Sequence, residues 1–261
     1  NADQVAETTK AFSEHFGNFG FAFARIEAVP EIDRETNRVA LTLQADPVRR
    51  AYVRRIEVAG NNRTRDEVIR REFRQFESSW YDGEKIRLSR DRVDRLGFFT
   101  EVNVETQEVP GAPDQVDLVV NVVEKPTGSL QLGAGFSSAE KLSFSFAIKQ
   151  ENIFGSGNYL GVDVNTSKFK RTLVFSTTDP YFTRDGISRT VDLYYRTDKP
   201  YEDQGGNYEL VTTGGGLRFG VPFTETDTVF FGAALESNRI KSGTNIPAAY
   251  LAYADRYGSY S

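Results

Sequence analysis

Few residues of this chain could do acid–base, nucleophilic or metal chemistry. Its 261 residues include no cysteine and one histidine. Disulfides, thiolate metal sites and zinc sites built on paired histidines are therefore excluded. His15 is the one side chain whose unperturbed titration falls near neutrality. It sits between Glu14 and Phe16 in a helical pattern, where a structural role is expected. Asp179 and Asp185 flank Pro180 and Gly186. Turn chemistry accounts for them, and no paired-carboxylate hydrolase site is expected. Gly155-Ser156-Gly157 lacks the third glycine of a dinucleotide fingerprint and opens a strand, not a helix. Gly214-Gly215-Gly216 lies inside a strand pattern, which reads as a bend or close approach rather than a phosphate cradle. Arg63, Arg65, Arg70, Arg71 and Arg74 crowd one helix and read either as a solvated face or as a partner-binding face. The expectation is no catalytic residue, no cofactor and no metal. The formal net charge of −5 also argues against a nucleic-acid partner held by phosphate contacts.

The elements that carry these residues fall into two compositions, divided near Lys125-Pro126-Thr127-Gly128. Residues 1–126 hold six of the 22 glycines, and the rest hold 16. Charge is denser before the divide and aromatics are denser after it. The first part reads as a water-exposed α+β region, the second as glycine- and aromatic-rich strands. Mean hydropathy is −0.47. No run approaches the ~18 apolar residues of a membrane helix, which leaves a membrane β-barrel open, since its strands alternate.

The first part contains a repeat. Gly20-Phe21 and Gly97-Phe98 each close an amphipathic helix and open a strand. The next strands, Val39–Leu43 and Val116–Val120, keep the same 77-residue offset, so the two segments read as a tandem module. The second copy is complete. Tyr52–Val58 alternates as a strand, and Ala59-Gly60-Asn61-Asn62 is a turn. Thr64 is expected to cap a helix whose third residue is Glu67, with Val68, Ile69, Phe73 and Phe76 on its apolar side. A second helix is expected from about Lys85 to Leu96, with Gly97 past its end. Strands Phe99–Thr106 and Gln115–Glu124 follow, giving β-α-α-β-β.

The second part reads as seven consecutive antiparallel strands: Leu130–Phe136, Leu142–Ile148, Tyr159–Thr166, Arg171–Thr178, Ser188–Thr197, Tyr208–Gly220 and Thr228–Ile240. Alternation alone fits a soluble sandwich or a barrel. The turns favour a barrel. The even ones carry Phe154, Tyr181-Phe182 and Phe223, whereas Ser137-Ser138-Ala139-Glu140 carries no aromatic and Lys168-Phe169-Lys170 only one. Aromatics gathered at one end suit a membrane interface. Leu142, Phe144, Phe146 and Ile148 are then expected to face lipid, and Ser143, Ser145 and Ala147 the lumen.

Tyr52–Glu124 resembles a POTRA domain, with Gly60-Asn61, Thr64, Arg70 and Leu96-Gly97-Phe98-Phe99 at the matching places. Gln150–Asn158 (QENIFGSGN) and Thr178–Gly186 (TDPYFTRDG) resemble the start of an Omp85 barrel. The organisation this implies is the C-terminal part of a POTRA domain over 1–47, a complete POTRA domain over 52–125, and the N-terminal part of an Omp85-type barrel over 128–261. The implied fold class is α+β POTRA modules followed by an antiparallel transmembrane β-barrel, of which only the N-terminal strands are present. Seven strands fall short of the roughly eight that the smallest bacterial barrels need. The family's late-loop Arg-Gly-Phe/Tyr signature is also absent, so a piece of a longer protein is expected. Residues 242–261 are expected to be an extracellular loop.

The resemblance implies a non-enzymatic assembly factor in the outer membrane of a Gram-negative cell, with its POTRA region in the periplasm. The alternatives are a TamA-like factor, a two-partner-secretion transporter, or a passive pore with a periplasmic scaffold. The implied partners are unfolded outer-membrane β-barrel clients, outer-membrane lipid, and BamD-like and other Bam lipoproteins. Arg70 and Glu77 are the expected lipoprotein contacts. Gln131, Leu132, Gly133, Ala134 and Gly135 form the expected client-strand seam. Gly133 and Gly135 either loosen that seam or relieve crowding where a barrel curves.

Overall fold

The computed structural model describes residues 2–33, 38–138, 141–199, 208–241 and 248–258. The chain divides into two units, at Pro126 and Thr127.

The first unit begins with helix α1 (Ala2–Gly17) and the antiparallel pair β1 (Arg25–Asp33) and β2 (Arg38–Asp46). It continues with β3 (Tyr52–Ala59), α2 (Asp66–Arg70), α3 (Gly83–Arg95), β4 (Phe99–Val109) and β5 (Ala112–Glu124). These strands form a sheet of order β3-β5-β4, with β3 parallel and β4 antiparallel to β5. A parallel pair needs a long crossover, and the two helices with β4 supply it. Val53, Ile56, Val116, Leu118, Val120 and Val122 from the sheet pack against Val68, Ile69, Ile86 and Val93 from the helices. Gly20 and Gly97 both hold positive φ, +97° and +73°, where the two copies of the repeat pass from helix to strand.

The first helix of this module departs from the expectation in two ways. Thr64 does not cap it: α2 begins at Asp66 behind Arg65, with no side-chain cap bond. Thr64 is instead buried, and its backbone N–H donates to Glu124 Oε1 at 2.7 Å. The helix also stops at Arg70, because the following chain folds around the buried side chain of Gln75. That amide donates to Ser79 Oγ and to the Trp80 and Phe76 carbonyls, and its oxygen accepts the Asp82 N–H. Phe73 stays in the core, but Phe76 is 66% exposed, not on a buried face. The second helix has its cap in Asp82, whose Oδ1 accepts the N–H groups of Glu84 and Lys85 at 3.1 Å each.

The second unit is one antiparallel sheet of β6 (Gly128–Ser137), β7 (Lys141–Gln150), β8 (Tyr159–Thr166), β9 (Lys170–Asp179), β10 (Ser188–Asp198), β11 (Glu209–Pro222) and β12 (Thr228–Lys241). The seven pair in sequence order, and the sheet does not close. Each expected strand is present, and β8 has the expected bounds. Ala139 and Glu140 of the first turn lie outside the described residues, as do 242–247 and 259–261 of the expected final loop. That stretch holds a helix, α4 (Ala248–Tyr257), which its alanines and leucine favour. Among the described residues no helix is long and apolar enough to cross a membrane.

Glu124 ties the end of β5 to the turn before α2. Burial alone would raise its pKa. Hydrogen bonds from the Thr64 hydroxyl and from the Thr64 and Arg63 N–H groups outweigh that effect and hold it below the ordinary carboxylate range. A depressed folded-state pKa stabilises above the unfolded value and loses that contribution as pH falls through the folded value. The urea midpoint of this module, read from its one tryptophan, Trp80, should therefore fall as pH drops below about 4.5. Glu124→Gln should cost about 1 kcal/mol at pH 7 and flatten that acid slope. An unchanged slope contradicts the assignment.

Candidate functional site

The register of the second unit sorts its side chains onto two unlike faces. One row across all seven strands reads Leu130, Ile148, Val162, Phe175, Leu193, Gly215 and Leu235. The row beside it reads Leu132, Phe146, Val164, Leu173, Tyr195, Thr213 and Ser237. A row of the opposite face reads Gln131, Ala147, Asp163, Val174, Tyr194, Gly214 and Glu236. Strand side chains alternate with period two, so a one-residue slip in any ladder would mix the faces. None of these six ladders slips.

The apolar face is exposed at Leu130, Leu132, Phe144, Phe146, Ile148, Leu173 and Leu235. A continuous apolar surface of this extent marks contact with lipid or another protein. The polar face carries its own ladder of bonds. Ser176 donates to Asp192 at 2.6 Å, Thr212 to Asn238 at 2.7 Å, and the Tyr194 hydroxyl to Glu236 at 2.7 Å. Tyr194 reaches Glu236 across Gly214, where an added Cβ would lie 2.5 Å from the tyrosine ring. The glycine run is thus a close approach at this position, as its strand setting suggested.

Because the strands are consecutive and antiparallel, the turns holding Phe154, Phe182 and Phe223 lie at the same end of the sheet, where β6 begins. All three rings are exposed. Phe154 is held at φ 51°, an unusual conformation for a bulky residue. The buried Asn152 fixes its turn by accepting the Gly157 N–H at 2.7 Å.

The five residues expected to form a seam lie on β6, an edge of this sheet. Leu132 and Ala134 fall on the apolar face, and Gln131, Gly133 and Gly135 on the polar one. Gly133 and Gly135 sit opposite Ser145 and Ser143. An added Cβ would meet the serine hydroxyls at 2.3 and 3.0 Å. These are the rotatable ends of small side chains, so crowding alone is a weak requirement for glycine there.

Arg70 and Glu77 meet at the edge of the first unit's sheet. Glu77 Oε1 accepts the Ile56 N–H at 2.7 Å, and Arg70 Nη2 donates to the Ile56 carbonyl at 2.6 Å. The two side chains lie 3.4 Å apart, and Arg70 also pairs with Asp66. The hydrogen bond that Arg70 donates to Asp66 is the chief cause of the raised Arg70 pKa. The pair therefore satisfies the outward peptide groups of an edge strand. Both side chains remain 42–46% exposed, so the clamp also presents a surface. Beside it, Arg54 hydrogen-bonds Asp117 and holds that carboxylate below its ordinary range against the effect of burial, with Arg55 adding at 3.3 Å. The clamp was not legible as such, since it depends on the β3 bulge between Val53 and Arg55. Among the described residues no three of His, Cys, Asp and Glu gather to hold a metal.

Comparison with known proteins agrees with this division. Residues 51–125 match the POTRA family (surface antigen variable number repeat), and 152–260 match the Omp85 superfamily domain. The chain belongs to the Omp85 superfamily, with a POTRA module ahead of the strands. Within it, the chain is 37% identical to the outer membrane protein assembly factor BamA of Neisseria meningitidis serogroup B, over 98% of this chain and 32% of that protein. It is 31% identical to BamA of Nitratidesulfovibrio vulgaris, over 90% of this chain and 29% of that one. The chain thus spans about a third of the length of these curated relatives. A crystal structure of Haemophilus ducreyi BamA lacking POTRA domains 1–3 aligns with TM-score 0.76 and 28% identity, over 92% of this chain and 45% of that one. CdiB of Acinetobacter baumannii, at TM-score 0.54 and 12% identity over 87% of this chain and 44% of that one, shares the fold.

The two faces predict opposite responses to the same charge. In the full-length protein folded into vesicles, Phe144→Arg should cost about 2–4 kcal/mol, as a charge near mid-membrane does. Ser145→Arg, one residue on, should cost far less. Equal costs in urea titrations would contradict the assignment of faces.

Proposed function

We propose that this chain is part of a non-enzymatic assembly factor of the Gram-negative outer membrane. Its POTRA modules stand in the periplasm and receive unfolded outer-membrane β-barrel clients. Its strands belong to a barrel in lipid, whose first strand helps to fold and insert those clients. No nucleotide is needed, because client folding and burial of the client's apolar face in lipid supply the free energy. The observation that carries the reading is the register-matched apolar face directly following a POTRA module, in a chain alike over most of its length to assembly factors named BamA.

In a closed barrel β6 must pair with the final strand. The β6 side chains at Gln131, Leu132, Gly133, Ala134 and Gly135 are smaller on average than those of β7, and glycine adds backbone entropy to lose. The β6 seam is then held by β7 on one side and more weakly on the other. Opening it would offer unpaired N–H and C=O groups to an incoming strand, and backbone pairing tolerates many sequences. In the full-length protein, a disulfide joining Gly133→Cys to a cysteine at the facing position of the final strand should abolish client insertion into liposomes, and reduction should restore it. Equal insertion by locked and reduced protein rejects seam opening. If the protein conducts ions but inserts no client in either form, it is a passive pore.

The Arg70–Glu77 pair is the proposed docking point for a BamD-like lipoprotein. Breaking it has two consequences that can be separated. Glu77→Gln should cost about 1 kcal/mol of module stability through the lost Ile56 hydrogen bond. Glu77→Lys should in addition reduce co-purification of the lipoprotein, and unchanged co-purification rules out docking there.

A further inference from the structure

We propose that Arg189 and Phe182 form a subsite for the phosphate of a glycerophospholipid, at the aromatic end of the sheet's apolar face. The proposal rests on the reading that this face meets lipid. Arg189 pairs across its neighbours with Asp179 and Phe219. It shares the face of Val191, Leu193 and Leu217, which continue from it toward the middle of the sheet. It is therefore a cation on a surface whose central rows carry no charge.

The local structure holds this cation in place with no ion pair to it among the described residues. Its guanidinium carbon lies 4.2 Å from the centre of the Phe182 ring, and that ring lies 5.9 Å from Phe219. The turn carrying Phe182 is fixed by its own bonds. Asp179 Oδ1 accepts the Tyr181 N–H at 3.1 Å, the Thr183 hydroxyl accepts the Ile187 N–H at 3.2 Å, and the Gly186 N–H donates to Thr183 O at 3.1 Å. One oxygen of the Asp179 carboxylate opposite Arg189 is thus engaged with its own turn. Among the described residues no carboxylate forms an ion pair with Arg189, and its Nε is buried without a hydrogen-bond partner.

A guanidinium without an ion pair at the edge of an apolar membrane face can take a counter-ion from the membrane itself. At this end of the strands, where the exposed Phe154, Phe182 and Phe223 lie, the available anion is the headgroup phosphate. With Nε buried, the two Nη groups are the donors offered to that phosphate, and the aromatic platform fixes their plane. Val191, Leu193 and Leu217 then lie where acyl chains descend. Arg218 provides a built-in comparison. It is also stacked on a phenylalanine, Phe230, at 5.5 Å, but the register puts it on the polar face.

The test uses the full-length protein in detergent micelles, with lipid retention measured by native mass spectrometry. The probes are dioleoylphosphatidylglycerol, dioleoylglycerol and inorganic phosphate. Arg189→Gln should weaken phosphatidylglycerol retention about tenfold, as loss of one charge-assisted hydrogen bond does. Arg189→Lys and Phe182→Leu should each weaken it about threefold. Arg218→Gln should leave it unchanged, and dioleoylglycerol should bind all variants alike. Inorganic phosphate at millimolar concentration should not displace the lipid. Heat-modifiable gel migration identifies folded variants, and if Arg189→Gln does not fold, Arg189→Lys and Phe182→Leu decide the matter. Wild-type retention in folded Arg189 or Phe182 variants overturns the proposal, as does an equal loss in Arg218→Gln. Displacement by inorganic phosphate would make this a free-anion site and overturn the lipid assignment. Insertion of wild-type protein into vesicles is scored separately by protease protection. Its failure would reject the membrane reading and the subsite together, whereas insertion with unaltered lipid retention rejects the subsite alone.

Discussion

Hydrocarbon offers no partner to a backbone N–H or C=O, so every such group carried into lipid must be satisfied inside the protein. For strands, that means continuous ladders in one register. The second unit meets the constraint from β6 to β12 with no slip in any ladder. The same register aligns the apolar side chains of seven strands on one face and the polar ones on the other. Backbone pairing and side-chain sorting are thus one constraint, and a slip in any ladder would violate both. The constraint also singles out the edges. A sheet that must leave no edge in lipid has to close, and the seam where it closes is the place where another chain could enter.

The first unit solves the same accounting in water by other means. The outward peptide groups of Ile56 on β3 are met by Arg70 and Glu77. The irregular segment after α2 is organised by the single amide of Gln75. Glu124 closes the end of β5 against the turn at Arg63 and Thr64. In each case a polar side chain occupies backbone groups that would otherwise be open to pairing. This matters for a module proposed to receive extended clients. Side chains here decide which stretches of edge are already engaged, and the Arg70–Glu77 clamp engages part of β3.

Much of the architecture was legible because it rests on periodicity. Leu142, Phe144, Phe146 and Ile148 alternate so strictly that their strand and their shared face followed from spacing alone. The helix-to-strand joints at Gly20 and Gly97 showed in the 77-residue repeat, and both glycines hold positive φ. What failed were inferences about which local partner wins. Thr64 has the spacing of a capping box, but Glu124, 60 residues away, takes its N–H. Phe76 fits a helical stripe only if the helix reaches it, and the Gln75 network ends the helix first. The Arg70–Glu77 clamp depends on a bulge in β3, and the stacking of Arg189 on Phe182 depends on how a turn folds back. Neither geometry is encoded in spacing.

The central claim is that one face of the seven-stranded sheet meets lipid and the other meets water, in phase across every strand. Spin labels placed singly along β7 and β8 of the full-length protein in bilayers test it directly. The account predicts that oxygen accessibility peaks at Leu142, Phe144, Phe146 and Ile148 on β7, and at Leu160, Val162 and Val164 on β8. A water-soluble nickel reagent should peak at Ser143, Ser145, Asn165 and Asp163. Accessibility without a two-residue period, or with the phases of β7 and β8 opposed to their pairing, would contradict it.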